Sequence, residues 1–266
     1  MDLKNLTSLA KEAAFMAGKE ILKVYDSADF GVEMKGDDSP LTKADQAAHE
    51  LIVTYLEKTG IPIFSEEGKN IPYEIRKSWD YFWMVDPLDG TKEFIKKNGE
   101  FTVNIAIIHQ GIPVIGVVYS PVLEWMYWGN KEEGAWKQVK NENPLSLQSD
   151  RFEEIKTIVA SRSHLSPETQ EFIDQYPGAE VISMGSSLKF LLVAEGKAQV
   201  YPRFSPTMEW DTAAAHGIIL AKGGEVLQWP DKTPLTYNKE NLLNPWFICW
   251  TTVLEADYNL PIDTHR

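Results

Sequence analysis

The chain contains a continuous apolar and aromatic run at residues 81–85, and this run most constrains its fold. Successive side chains of a strand point to opposite faces, so an uninterrupted apolar strand needs cover on both faces. The run ends without a spacer in an acidic turn, Asp86-Pro87-Leu88-Asp89-Gly90-Thr91. It therefore predicts a layered protein with a buried strand that carries carboxylates at its end.

Hydrophobic periodicity and turn signals divide the chain into helices, a strand meander and an alternating second half. The predicted helices cover residues 3–25, 42–60, 167–175, 186–195 and 211–222. The predicted strands cover residues 61–64, 81–85, 101–109, 113–120, 124–128, 156–161, 180–183, 225–229 and 246–252. Residues 130–150 are polar and rich in turn formers. We therefore predict an N-terminal α+β subdomain at 1–150 and a C-terminal α/β subdomain at 151–266.

The 266 residues include 26 Lys and Arg against 39 Asp and Glu, a formal charge of −13, and 43% are apolar. This apolar content is too high for a disordered chain, and the acidic balance excludes a general nucleic-acid binder. No apolar run approaches the roughly 18 residues of a membrane-spanning helix, and no apolar segment follows a basic start. We therefore expect a cytoplasmic protein without an integral membrane segment, and leave peripheral inner-membrane association open.

Three acidic segments lie where predicted strands end or predicted helices begin. They are Ser65-Glu66-Glu67-Gly68, the turn at 86–91, and Glu209-Trp210-Asp211-Thr212. Loops at strand ends converge on active sites in α/β proteins. We therefore expect carboxylates from these distant segments to meet.

The turn at 86–91 can direct several oxygen atoms at a common point. Asp86 and Asp89 are three residues apart, with a proline between them to fix one φ angle and a glycine after them to permit a sharp turn. Their carboxylates and the carbonyl oxygen of Leu88 form the oxygen-only set that hard cations such as Mg²⁺ prefer. A helix after Gly90 would add free backbone N–H groups for an anion. Asp-Pro and Asp-Gly are also common turn formers, and on the residues alone this alternative stays open.

Two further carboxylates stand in first helical turns. Thr42 is a predicted N-cap with Asp45 three residues on, and Asp211 opens the predicted helix at 211–222. Capping alone would account for both carboxylates, so this alternative also stays open.

The acidic motifs, in this order and spacing, resemble those of the inositol monophosphatase superfamily. The motifs are Glu66-Glu67, Val85-Asp86-Pro87-Leu88-Asp89-Gly90-Thr91-Lys92-Glu93-Phe94 and Trp210-Asp211-Thr212-Ala213-Ala214-Ala215. Other segments resemble its 3′(2′),5′-bisphosphate nucleotidase branch, in the bacterial form linked to sulfur assimilation. These segments are Ser39-Pro40-Leu41-Thr42-Lys43-Ala44-Asp45, Ser161-Arg162-Ser163-His164, Gly185-Ser186-Ser187-Leu188-Lys189, Tyr201-Pro202-Arg203 and Leu242-Leu243-Asn244-Pro245.

The resemblance implies a layered αβαβα fold with two sheets between helices. It also implies Mg²⁺-dependent hydrolysis of phosphomonoesters, with two or three Mg²⁺ ions per site and frequent inhibition by Li⁺. The metal ligands it implies are Glu66, Asp86, the Leu88 carbonyl, Asp89 and Asp211. It also implies that Asp45 binds a third, more weakly held metal ion and contacts Thr91. Glu66, Asp45 and Thr91 would then orient and deprotonate the attacking water.

The same resemblance implies a nucleotide substrate, adenosine 3′,5′-bisphosphate (PAP), and leaves open its sulfated form (PAPS). Backbone N–H groups of Gly90 and Thr91 are expected to hold the scissile phosphate. Lys189, with Ser186 and Ser187 as hydrogen-bond donors, is expected to bind the second phosphate. The remaining substrate contacts are assigned to Ser163, His164, Arg203 and Asp211.

Two other functions stay open. An inositol monophosphatase or a fructose-1,6-bisphosphatase of the same superfamily would share every metal ligand, and only the branch-specific segments argue against it. A non-catalytic nucleotide-binding regulator on the same scaffold would belong to a different functional class. The sequence predicts no oligomeric state.

Overall fold

The computed structural model describes residues 1–27, 30–34, 40–68, 70–148, 152, 154–161 and 165–250. The predicted site residues Ser163 and His164 lie outside the described residues, as do Ser39 and Arg162 of the quoted segments. Within the described ranges, no helix combines the length and the apolar composition needed to cross a membrane.

Five helices begin and end close to the positions that the sequence predicts, α4 is the helix expected after Gly90, and α3 was not predicted. The described helices are α1 (Leu3–Tyr25), α2 (Lys43–Leu56), α3 (Tyr73–Arg76), α4 (Thr91–Ile95), α5 (Pro167–Asp174), α6 (Leu188–Ala194) and α7 (Glu209–Lys222). Capping explains two of these ends. The predicted capping box of Thr42 and Asp45 begins α2. Gly223, in the left-handed conformation at φ 89°, ends α7.

The larger sheet has seven strands. In spatial order they are β3 (Ile63–Ser65), β4 (Tyr81–Asp89), β5 (Thr102–His109), β6 (Ile112–Ser120), β7 (Trp125–Asn130), β8 (Gly134–Val139) and β9 (Leu145–Ser146). β3 runs parallel to β4, and the other neighbours are antiparallel. A separate antiparallel pair, β1 (Glu33–Met34) and β2 (Pro40–Leu41), precedes α2. The parallel pairing brings the ends of β3 and β4, and thus two of the acidic segments, to the same edge.

The smaller sheet has five strands and comes from the second half of the chain. In spatial order they are β11 (Glu180–Ser183), β10 (Thr157–Ala160), β12 (Val200–Arg203), β14 (Phe247–Trp250) and β13 (Glu225–Gln228). β10 is parallel to both of its neighbours, and β14 is antiparallel to both of its own. The predicted boundary near residue 150 lies between the two sheets. The independence of the two predicted subdomains stays a prediction.

Helices and sheets alternate in layers, which confirms the αβαβα expectation. α1 and α2 pack on one face of the larger sheet, α7 packs on its other face, α6 and α7 contact the smaller sheet, and α5 contacts β12. β4 shows why the layers form. Phe82 and Met84 enter the apolar cluster shared with α6 and α7, whereas Trp83 and Val85 enter the cluster shared with α1 and α2. The prediction of a strand buried on both faces is confirmed.

The sequence prediction was wrong or incomplete in four strands. β4 continues to Asp89, past the predicted end at residue 85. The segment 130–150 contains β8 and β9, which pair at the edge of the larger sheet. β12 was not predicted, because Pro202 interrupts a run of only four residues. β8 is only partly buried and β9 is exposed, and their polar residues weaken the alternation that identifies a strand.

α7 lies closer to the larger sheet than a side chain would permit. A β-carbon placed on Gly116 of β6 would lie 1.9 Å from the carbonyl oxygen of Ala214 in α7. Gly217 faces the same strand, and its β-carbon would lie 2.9 Å from the Gly116 nitrogen. Paired glycines thus let the helix backbone contact the strand backbone. The position of Asp211, in the first turn of this helix, depends on that approach.

We predict that Gly116→Ala destabilises the protein, because the methyl group must push α7 away from β6. Overpacking of this kind costs about 1–3 kcal/mol, or roughly 2–4 °C in Tm per kcal/mol. Thermal unfolding of Gly178→Ala is the matched control, since no atom lies within 4 Å of its β-carbon position. Equal melting temperatures for the two variants would contradict the close-packing argument.

Candidate active site

Three carboxylates from two distant segments meet at the end of the larger sheet. Asp86, Asp89 and Asp211 each offer an oxygen, and these oxygens lie within 4.8 Å of one another. Asp86 is fully buried, while the other two are half-buried. The expectation that carboxylates from distant acidic segments lie close together is therefore confirmed for two segments, the end of β4 and the first turn of α7.

The turn at the end of β4 is shaped by its own backbone. Asp86 Oδ1 accepts a hydrogen bond of 3.0 Å from the Leu88 nitrogen, and the pairing with β5 shifts register between Asp86 and Asp89. Gly90 then takes φ 95°, a conformation that favours glycine. Its β-carbon would also lie 3.1 Å from the Glu100 carbonyl oxygen. The proline and glycine signals of the sequence thus produce a turn that holds both carboxylates on one side.

Asp211 caps its helix and takes part in the cluster at the same time. Its Oδ2 accepts a hydrogen bond of 2.8 Å from the Met208 nitrogen, which is the capping contact. The capping alternative of the sequence analysis therefore describes one of its oxygens and does not exclude metal binding by the carboxylate.

Asp45 links the start of α2 to the same turn. Its Oδ2 accepts hydrogen bonds of 2.8 Å and 2.5 Å from the nitrogen and hydroxyl of Thr42. Its Oδ1 lies 3.3 Å from the Thr91 hydroxyl, which is also 3.4 Å from the Leu88 carbonyl oxygen. The expected contact between Asp45 and Thr91 is therefore present, beside the carbonyl that the resemblance names as a ligand.

Glu66 directly follows β3 at the edge of the cluster. Its backbone nitrogen donates a 3.0 Å hydrogen bond to the Val85 carbonyl. Its carboxylate is close enough to Asp86 to contribute to the electrostatic shift of that group, although it does not belong to the tightest group of three. The neighbouring Ser65 contacts His49 Nδ1 at 2.9 Å, which ties this loop to α2.

Burial and mutual repulsion make the cluster electrostatically costly. Burial, together with the charges of Glu66 and Asp89, raises the pKa of Asp86 well above its ordinary value. Burial and the charge of Asp89 likewise raise the pKa of Asp211. No described lysine or arginine forms a salt bridge with the three carboxylates. An oxygen-only cluster of this kind fits a hard divalent cation, which would offset the repulsion.

A cavity of about 330 Å³ opens beside the cluster. Its walls include Asp89, Gly90, Asp211, Lys189 and Arg203. Lys189 is 5% exposed and donates hydrogen bonds of 3.1 Å and 2.7 Å to the carbonyls of Met184 and Ser186. Arg203 donates to the Pro206 carbonyl, while its Nε is buried without a partner among the described residues. The cavity therefore combines a carboxylate end with two buried or half-buried cations.

The predicted serines lie in the cavity wall, but their hydrogen bonds point at the cluster. Ser186 Oγ and Ser187 Oγ contact Asp89 Oδ2 at 2.6 Å and 2.8 Å. Their direct role toward a second phosphate stays a prediction. Sequence reasoning missed Thr102 and Asn104, which lie behind the serines. The available signal was two polar residues, two positions apart and so on the same face, in a strand that is otherwise apolar up to its last residue, His109.

Comparison with known proteins agrees with this geometry. A model of the inositol monophosphatase family matches residues 2–252. The 3′(2′),5′-bisphosphate nucleotidase CysQ of Salmonella typhimurium is 48% identical over 248 residues, covering 92% of this chain and 98% of that protein. CysQ of Escherichia coli K12 is 47% identical over 235 residues, covering 87% and 94%.

Solved structures give the same grouping. The crystal structure of CysQ from Bacteroides thetaiotaomicron, a bacterial member of the inositol monophosphatase family, superimposes with a TM-score of 0.85 at 47% identity. The match covers 94% of this chain and 98% of that one. A Thermotoga maritima IMPase, with a TM-score of 0.73, 22% identity and 92% coverage of each chain, shares the fold.

We predict that Asp86→Asn stabilises the metal-free protein and flattens its pH dependence. Because the pKa of Asp86 is higher in the folded than in the unfolded protein, protonation of Asp86 stabilises the fold. This contribution to the free energy of unfolding is complete below the unfolded pKa near 3.8. That contribution to stability is lost as pH rises toward the folded pKa. Melting temperatures in EDTA from pH 4 to pH 8 should therefore fall less in the variant than in the parent. The exposed Asp231→Asn is the control, and parallel curves for Asp86→Asn and the parent would contradict the assignment.

Proposed function

Because the chain belongs to the inositol monophosphatase family, we propose that it is a Mg²⁺-dependent 3′(2′),5′-bisphosphate nucleotidase. It would hydrolyse PAP to AMP and phosphate and so recycle the nucleotide by-product of sulfate assimilation. The 3′-phosphate of PAPS is a second candidate substrate of the same site. The substrate is proposed from the CysQ relatives at 47–48% identity and from the site itself.

One observation carries the proposal. A single cavity presents two carboxylates of the cluster, Asp89 and Asp211, together with the cations Lys189 and Arg203. A substrate with two phosphates needs a hydrolytic end and a separate anion-binding end, and this cavity offers groups suited to both.

The cation-binding role belongs to the carboxylates of Glu66, Asp86, Asp89 and Asp211 and to the Leu88 carbonyl. A bound Mg²⁺ supplies charge neutralisation of the phosphate and lowers the pKa of water. The net charge of −13 makes this local neutralisation necessary, because the overall field repels an anionic substrate.

The chain itself would supply the proton acceptor. Thr91 stands between Asp45 and the Leu88 carbonyl, so its hydroxyl can donate to the carboxylate and orient an attacking water through its lone pairs. Asp45 and Glu66 are the carboxylates proposed to take the water proton, a contribution typically worth about 10²–10⁴-fold in rate. Backbone N–H groups of Gly90 and Thr91 would hold the equatorial phosphate oxygens.

The second phosphate would meet Lys189 and Arg203. An ammonium has three donors, and Lys189 uses two on backbone carbonyls, which leaves one for an anion. The buried Nε of Arg203 is a further donor. Burial, followed by the charge of Arg203, lowers the pKa of Lys189 to about 8, so it stays mainly cationic at neutral pH. Ser163 and His164, outside the described residues, remain predicted nucleotide contacts.

The substrate class is tested by measuring phosphate release from PAP, inositol 1-phosphate and fructose 1,6-bisphosphate. With Mg²⁺ we expect phosphate to be released fastest from PAP. We expect this activity to be lost in EDTA and inhibited by added Li⁺. Asp89→Asn should abolish release while circular dichroism stays native. Faster release from a sugar phosphate would reject the nucleotide assignment, and no release from any substrate would favour the alternative of a non-catalytic nucleotide-binding regulator.

The cytoplasmic location of the protein stays a prediction.

We predict that Lys189→Ala weakens use of PAP more than use of a simple monophosphate ester. A hydrogen bond to a charged group is worth about 1.5–3 kcal/mol, which is roughly 10- to 150-fold in KM. The parent should also lose affinity for PAP, and less for the monoester, as pH rises through 8. Equal effects on both substrates would instead assign Lys189 to holding the carbonyls of its own loop.

A further inference from the structure

The two serines before α6 direct their hydrogen bonds at one oxygen of Asp89. Ser186 Oγ, Ser187 N and Ser187 Oγ lie 2.6, 2.6 and 2.8 Å from Asp89 Oδ2. A carboxylate oxygen has two lone pairs, so three donors saturate it. No described residue donates to the other oxygen of Asp89. Oδ1 is therefore the oxygen of this residue that remains for a cation.

Two buried polar side chains of β5 support these serines from behind. Thr102 Oγ1 lies 2.7 Å from Ser186 Oγ, and Asn104 Nδ2 lies 2.8 Å from Ser187 Oγ. Thr102 is 0% exposed and Asn104 is 1% exposed. A polar group buried this completely is costly unless its hydrogen bonds are satisfied, so the contacts with the serines stabilise Thr102 and Asn104 as well as orient the serines.

The sheet register places the supports beside the carboxylates. Thr102 is the β5 partner of Asp89, and Asn104 is the β5 partner of Asp86. Adjacent strands lie about 4.8 Å apart, so a change in β5 is felt directly at the end of β4.

The Asn104 amide limits the directions in which Ser187 can donate its proton. An NH₂ group only donates, so Ser187 Oγ must accept from Asn104 and direct its own proton elsewhere. The acceptors within reach are Asp89 Oδ2 and the Asp211 carbonyl, which lies 2.9 Å away. Without Asn104, the hydroxyl could rotate away from Asp89.

Thr102 has the same effect on Ser186. An ionised Asp89 only accepts, so the Ser186 hydroxyl gives its proton to the carboxylate and can accept from the Thr102 hydroxyl. The one Thr102 proton is shared between Ser186 and the Asn104 carbonyl oxygen, which lies 3.1 Å from Thr102 Oγ1 and links the two supports. Ser186 also has φ 52°, a conformation uncommon for residues other than glycine. Lys189, which donates 2.7 Å to the Ser186 carbonyl, holds that conformation from the opposite side.

We propose that Thr102 and Asn104 are positioning residues for magnesium: they orient Ser186 and Ser187 so that Asp89 presents Oδ1 to the cation. The proposal rests on the proposed metal site and assigns it two supports outside the cavity. Hydrogen-bond partners behind metal ligands typically change metal affinity or activity by about 10- to 100-fold.

The test is a magnesium titration of the substrate-free full chain, in which the rise in melting temperature measures binding. Thr102→Val keeps the shape of the side chain and removes its hydroxyl, and Asn104→Leu removes the amide. We expect either variant to raise the Mg²⁺ concentration at half-maximal stabilisation by about tenfold. The matched controls are Thr7→Val and Asn130→Leu, which remove two buried polar groups that contact each other outside the cavity wall.

The outcomes separate this proposal from the proposed function. A parent that gains no stability from Mg²⁺ would reject the metal site and the positioning role with it. A stabilised parent with unchanged midpoints in Thr102→Val and Asn104→Leu would reject the positioning role alone. Equal shifts in the controls would reject it too, because general destabilisation would then explain the effect. If Asn104→Leu does not fold, the nearly isosteric Thr102→Val decides.

Discussion

Repulsion among buried carboxylates is the constraint on which this structure depends. Asp86, Asp89 and Asp211 bring oxygens within 4.8 Å of one another, and burial raises the pKa of two of them. The chain offsets part of this cost with local donors, the backbone N–H groups of Leu88 and Met208 and the serine hydroxyls. A bound divalent cation would offset the rest, and this agrees with the metal dependence typical of the inositol monophosphatase family.

The layered architecture makes this convergence possible. β4 delivers two carboxylates from the larger sheet, and the central helix α7 delivers the third. Gly116 lets the backbone of α7 contact β6 without an intervening side chain, and this close packing sets how near α7 lies to the sheet that contains β4. The Ser187 hydroxyl, at the N-cap of α6, contacts both Asp89 and the Asp211 carbonyl and so links the strand to the helix.

Much of the fold could be predicted because its signals are local. The apolar period of α1, the capping box at Thr42 and the glycine after α7 each act within a few residues. The strands β8 and β9, at one end of the larger sheet, could not be predicted in the same way, since the polar composition of their segment is typical of turns. β12 is too short, and its Pro202 too unfavourable, for a local pattern to identify it.

The sequence by itself determined the chemical types at the site, namely the carboxylates and the turn that carries two of them, and the family resemblance added the contact of Asp45 with Thr91. Only the tertiary structure decided which groups surround them. Ser186 lies 97 residues from Asp89 in the chain, and nothing local indicates that its hydroxyl faces that carboxylate. Local patterns report backbone conformation and burial, whereas the direction of a buried hydrogen bond depends on how separate layers pack.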